Sequence, residues 1–162
     1  MKYSSVPPEN RLEEIVREYG NLLYRLCFVM LGSESDAEDA VQESFIKYLK
    51  KAPPFQSAEH EKAWLIAVAA NQCKDFLRFR KRHPQIELEH LREASNETSD
   101  SGILEALMTL PEKFRLVLTL YYVEEYRVEE IAKIIGRTPS AVKMRLQKGR
   151  KLLEETFRKE YL

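Results

Sequence analysis

The stretch VEEIAKIIGRTPSAVKMRLQKGRKLL, residues 128–153, decides how the rest of the chain is read. Val128, Ile131, Ala132, Ile134 and Ile135 form a short apolar helix that runs into Gly136, a residue able to take a left-handed turn without a Cβ penalty. Thr138 is placed to cap a second helix, and Pro139, its φ already fixed, suits the first turn. Along that second helix Val142, Leu146, Gly149 and Leu153 share one face and pack inward, while Ser140, Lys143, Met144, Gln147 and Lys151 lie opposite. A helix on its own with a basic outer face is more often a solvated surface. The glycine turn, the cap and the preceding apolar helix reverse that reading and give the form of a helix-turn-helix, whose second helix fits a DNA major groove. Lys and Gln side chains hydrogen-bond base edges; Arg145, Lys148 and Arg150 flank the stripe and suit phosphates.

Upstream, helical periodicity continues and strand-like alternation is absent. Leu12, Ile15, Val16, Tyr19, Leu22, Leu23, Leu26 and Met30 recur at spacings of three and four, predicting a first helix that Gly32 ends. Ser35, with Glu38 three positions on, reads as the capping box of a second helix whose apolar face is Ala37, Ala40, Val41, Phe45, Tyr48 and Leu49. Pro53 and Pro54 stop it, and PPFQSAEHE reads as a loop. A third helix is predicted over residues 62–82, apolar nearly all round in its first half (AWLIAVAA) and basic in its second. Residues 84–101 turn polar and acidic, a linker with a short helical turn at 87–93. Helical signal resumes at 103–107 and again after Pro111, read as a first helical residue. The prediction is an all-α chain of two small helical domains joined by a flexible linker: residues 1–83, 84–101 and 102–162.

Charge sharpens this division. The net charge is zero, which argues against a generally sticky nucleic-acid binder, but its distribution is uneven. Glu34, Asp36, Glu38, Asp39 and Glu43 crowd one helix, whereas basic residues crowd 74–82 and 137–151. Two kinds of partner follow from that separation. No apolar run approaches the roughly 20 residues that cross a bilayer, since Arg25 interrupts LLYRLCFVML. MKYSSVPPENRLEEI lacks the apolar segment of a signal peptide, so the cytoplasm is the expected compartment. Cys27 and Cys73 have no metal-ligand spacing and predict no disulfide. His60, His83 and His90 lack carboxylate partners or metal spacing, and no glycine-rich phosphate loop occurs. No enzyme, metal, cofactor, small-molecule substrate or membrane insertion is therefore expected.

Three blocks, taken together and in order, carry a family resemblance: SESDAEDAVQESFIKYLKK, KAWLIAVAANQCKDFLRFRKR and LPEKFRLVLTLYYVEEYRVEEIAKIIGRTPSAVKMRLQKGRK. The chain resembles the extracytoplasmic-function group of bacterial sigma factors over nearly its whole length outside the N-terminal few residues and the linker. The resemblance implies that the second helix docks on core RNA polymerase, through Asp36, Asp39, Gln42, Glu43 and Phe45. It implies that the third helix and the loop before it open the promoter and hold single-stranded −10 DNA, through Phe55, Gln56, Ser57, Asn71, Lys74, Asp75 and Arg78. Trp64, tempting as a stacking platform, reads as a core residue. Duplex −35 DNA would be bound through Arg137, Ser140, Lys143, Met144, Arg145, Gln147, Lys148 and Arg150, with Lys143, Met144 and Gln147 reading bases. An anti-sigma partner is a further implication. The chain departs from the pattern at Ala67 and Ala70, where many members carry basic residues, and at Met144, where smaller or polar residues are common. A freestanding helix-turn-helix regulator acting without polymerase is the alternative; it leaves the acidic second helix unexplained.

Overall fold

The computed structural model describes residues 9–83 and 102–161, which are helical throughout apart from short connections, with no strand among them. The linker expected over 84–101 lies outside the described residues. The chain divides into two compact units, Met1–Phe79 and Arg80–Leu162.

In the first unit α1 (Glu9–Leu31) and α2 (Glu34–Lys51) form a hairpin, and α3 (Ala58–Arg82), which belongs to this unit as far as Phe79, is joined to them through Glu61, which accepts from Arg11 of α1 and Tyr48 of α2. Gly32, at φ 68°, makes the predicted left-handed stop. The cap that follows is Ser33 rather than Ser35: its hydroxyl accepts from the Asp36 backbone N–H at 3.3 Å. Ser33 wins because it stands directly after the αL residue, where the backbone is already extended. Ile15, Leu22, Leu23, Leu26 and Met30 of α1, Ala37, Ala40, Phe45 and Tyr48 of α2, and Leu65, Ile66 and Ala69 of α3 are all buried. Two expected core residues are not inside: Val16 and Leu49 are 43% and 44% exposed. The α2 face turns instead toward Ser44, whose hydroxyl donates to the Ala40 carbonyl at 2.7 Å and is thereby buried without an unmet polar group. α3 also begins earlier than the proline pair suggested. Ser57 caps it, accepting from the His60 N–H at 3.0 Å.

The second unit comprises α4 (Gly102–Met108), α5 (Glu112–Leu118) with a π-helical turn at Thr119–Val123, α6 (Val128–Ile135) and α7 (Pro139–Tyr161). Pro111 is the residue before α5, not its first, and its carbonyl accepts from Phe114 and Arg115. Arg115 is buried, and its guanidinium donates to the carbonyls of Met108 and Leu110 at 3.0 and 2.8 Å, satisfying acceptors that the end of α4 leaves open. Phe114, Val117, Leu118, Leu120, Ile131, Ala132, Val142 and Leu146 make the core. α7 crosses α5 at Gly149, where an added methyl would lie 3.2 Å from Leu118 Cδ1 and 3.3 Å from Phe114 Cβ. At that approach a side chain at 149 would make Leu118 or Phe114 give way by a few tenths of an ångström.

Gly136 adopts φ 69° with open space where a Cβ would be. Gly136→Ala is therefore expected to cost about 1 kcal/mol through backbone strain alone, a difference that denaturant melting resolves, with Gly136→Asn milder. The Glu130 carboxylate is held below its usual pKa, chiefly by the Arg127 backbone N–H it accepts at 2.9 Å. Its contribution is present above the unfolded carboxylate value and is lost as pH falls through the lower folded value. Glu130→Gln should accordingly flatten the acid limb of the melting curve.

Candidate nucleic-acid and protein interfaces

The helix-turn-helix is present as its sequence implied. α6 ends at the left-handed Gly136, and the Arg137 N–H closes the turn on the Ala132 carbonyl at 3.0 Å. The Thr138 hydroxyl accepts from Ala141 N–H at 3.1 Å and so fixes the start of α7. Val142 and Leu146 are buried, which turns the opposite face outward. Arg137, Ser140, Lys143, Met144, Gln147, Lys148 and Arg150 are exposed, with Arg145 half-buried. Met144 is 70% exposed, an unpaired thioether in the middle of a polar face. Arg150 is steadied by the Tyr122 hydroxyl, to which its guanidinium donates at 3.0 Å.

One basic residue on this side escaped the sequence reading. Lys113, on α5, and Lys148, on α7, both lie over the Phe114 ring, at 5.2 and 5.9 Å from its centroid. Together with Met144, Lys151 and Leu152 they line an open depression of about 640 Å³ along α7. No local pattern connects Lys113 to the recognition helix, and only the packing of α5 on α7 brings it there.

On α2, Asp39, Gln42 and Glu43 are exposed on one stripe, and Ile46 and Leu49 continue it, 38% and 44% exposed. Asp36 is half-buried at the edge of the stripe. Phe45 is not on it: at 7% exposure it belongs to the core and can support a docking surface only from behind. Ile46 and Leu49 are the residues the sequence reading missed. Their position in the helical stripe, seven and ten residues after Asp39, was the available signal.

On α3, Asn71, Asp75 and Arg78 are exposed and Lys74 is half-buried. Asp75 and Arg78 pair at 2.9 Å in full view of solvent, which contributes little to stability. Of the loop residues, Gln56 is exposed and Ser57 half-buried. Phe55, expected at the DNA, is instead 6% exposed and wedged against Tyr48, Trp64 and His60. Trp64 is half-buried in the same cluster, in keeping with its reading as a packing residue. Ala70 is 3% exposed and faces the unit's own interior, and Ala67 is half-buried. Among the described residues no group of His, Cys, Asp or Glu could hold a metal ion. Cys27 and Cys73 are both buried, and neither is in a disulfide.

Residues 15–83 match the family model of sigma-70 region 2, and residues 101–153 match that of sigma-70 region 4. The sigma factor SigV of Bacillus subtilis is 32% identical over 143 residues, covering 86% of both chains. The chain belongs to the extracytoplasmic-function sigma factors. SigW of Bacillus subtilis, an ECF sigma factor, is 29% identical over 93% of this chain and 90% of its own. Two solved structures share the fold. One is the sigma factor RpoE of Bartonella quintana with the anti-sigma factor NepR, at TM-score 0.69 and 20% identity, covering 91% of this chain and 97% of that one. The other is CnrH with the cytosolic domain of CnrY, at TM-score 0.68 and 24% identity, covering 94% and 91%. As a sigma factor the chain directs core RNA polymerase to specific promoters and takes part in transcription initiation. The freestanding regulator is not favoured, because region 2 accounts for the N-terminal unit that it left unexplained.

Since Thr138 supplies the first hydroxyl acceptor of α7, Thr138→Ala should lower the stability of the helix-turn-helix by about 1 kcal/mol. Amide exchange should quicken first at Ala141, before the rest of α7.

Proposed function

We propose that initiation is divided between three segments, residues 1–83, 84–101 and 102–162, with docking and strand capture in the first and duplex recognition in the last. Core polymerase is held by the α2 stripe of Asp39, Gln42 and Glu43, with Asp36 at its edge and Phe45 fixing the helix from beneath. Ile46 and Leu49 extend the contact with apolar surface. A carboxylate-rich stripe repels phosphate and needs a basic protein partner. Gln56, Ser57, Asn71, Lys74, Asp75 and Arg78 hold the single-stranded −10 element, with Phe55 as the loop's anchor. The −35 duplex lies against α7: Lys143, Met144 and Gln147 face base edges, with Ser140 beside them, and Arg137, Arg145, Lys148 and Arg150 face phosphates.

The observation that carries this reading is the pair of outward faces of opposite chemistry. α2 presents an acidic and apolar stripe, α7 a basic one, and each helix buries its other side in its own unit. The protein acts by binding, with no active site, cofactor or small-molecule substrate of its own. It works in the cytoplasm; no described helix is long and apolar enough to cross a membrane. The two structural neighbours were solved with an anti-sigma factor and with the cytosolic domain of a second protein, which supports an anti-sigma partner that holds this chain inactive.

Reversing charge with Asp39→Lys and Glu43→Lys together should weaken binding to core polymerase by roughly tenfold or more, with the helical circular dichroism and its melt unchanged. Retained affinity would contradict the docking assignment. Lys143→Ala and Gln147→Ala should each relax −35 discrimination by about 1–3 kcal/mol. Lys148→Ala should weaken all duplexes alike and lower the salt slope by about one.

A further inference from the structure

Glu61 is the one carboxylate buried in the described part of the N-terminal unit, at 1% exposure. Arg11, at the start of α1, donates to its Oε1 at 2.8 Å, and the hydroxyl of Tyr48, near the end of α2, donates to its Oε2 at 2.7 Å. Burial, reinforced by the neighbouring carboxylate, pushes the Tyr48 hydroxyl above its ordinary pKa, so it remains a donor. A buried ion pair is a weak source of stability, because a hydrocarbon of similar volume fills the space without desolvating a charge. What a carboxylate with two fixed donors does supply is direction: it sets the first turn of α3 against α1 and α2.

The loop between α2 and α3 is tied to that same turn. Ala52 N–H donates to the Tyr48 carbonyl at 3.1 Å. Phe55 stacks on the Tyr48 ring, 6.0 Å between centroids and 15° between planes, and meets Trp64 and His60 edge-on. Gln56 N–H donates to His60 Nδ1 at 3.2 Å, and Ser57 caps the helix through His60 N–H. Glu61 N–H donates to the Ser57 carbonyl at 3.1 Å. These anchors of the loop run through Tyr48 or the first two turns of α3, the two elements that Glu61 joins. The Gln56 side chain is left outward on a backbone held from both sides.

We propose that Glu61, through Arg11 and Tyr48, is a positioning residue that pre-organises residues 53–57 for capture of a −10 base, with Gln56 the side chain presented to it. This rests on the reading of that loop as the −10 contact. Pre-organisation moves the ordering cost of the loop from the moment of strand capture into folding. Its loss should therefore appear in base discrimination rather than in overall affinity.

The test uses holoenzyme assembled from core polymerase and the full chain, with single-stranded oligonucleotides bearing the −10 element or single-base variants of it. Glu61→Gln removes the charge, and Tyr48→Phe removes one hydrogen bond while keeping the ring stack. Both should reduce discrimination at one −10 base by roughly tenfold, about the size of one charge-assisted hydrogen bond. Affinity for core polymerase and for duplex −35 DNA should stay unchanged. Gln56→Ala should reduce discrimination at the same base. Unchanged discrimination in both variants, or an equal loss across core, −35 and −10 binding, would overturn the positioning role. If Gln56→Ala, and Ser57→Ala beside it, leave every −10 base read as before, the loop is not the contact. The proposal then falls with that reading rather than on Glu61.

Discussion

A helix in a small bundle has one face to give to its own core, and what remains is all it can offer a partner. In this chain that constraint assigns the surfaces. α7 commits Val142 and Leu146 inward and brings Gly149 against Leu118 and Phe114, which together set its rotation about its axis. Lys143, Met144 and Gln147 then have no choice but to face solvent. α2 is set in the same way by Ala37, Ala40, Phe45 and Tyr48, which leaves Asp39 and Glu43 outside. Local capping makes each rotation definite from its first turn, through Ser33 for α2 and Thr138 for α7.

The N-terminal unit adds a second kind of constraint. Its core is not wholly apolar: Glu61 is taken out of water where three helices meet, and the cost is met by two donors brought from helices α1 and α2. Dispersion packing tolerates small slides of one helix on another, whereas two short hydrogen bonds to one carboxylate do not. The aromatic cluster of Tyr48, Phe55, His60 and Trp64 sits beside this point and carries the loop that leads into α3. The buried end of α3 and its exposed basic end therefore differ in role, one fixing geometry and the other offering cations.

Much of this was legible from residue order. Gly32, Gly136, Thr138 and Pro139 each specify a backbone conformation by their own chemistry, and each is found where that chemistry requires. The misses have physical causes. Ser33 and Ser35 are each followed three residues later by an acid, so spacing cannot choose between them; the extended backbone after Gly32 does. Val16 and Leu49 fit an apolar stripe by period, but the period does not say how wide a stripe the neighbouring helices can cover. Phe55 stands among exposed polar residues in the sequence but is buried by the rings of Tyr48, His60 and Trp64, and Phe45, which the period already placed on the apolar face of α2, cannot also be a surface contact. Glu61 looked like one more charge in a loop, because its two donors come from α1 and α2.

If the two outward faces work together on polymerase and promoter, run-off transcription shows it directly. Purified core polymerase would be supplied with a pool of promoter fragments, with and without this protein. Start sites should appear only when the protein is present, sharing one upstream −35 sequence and one −10 sequence. Specific binding of the protein alone to duplex fragments, with no protein-dependent transcript from any of them, would contradict it.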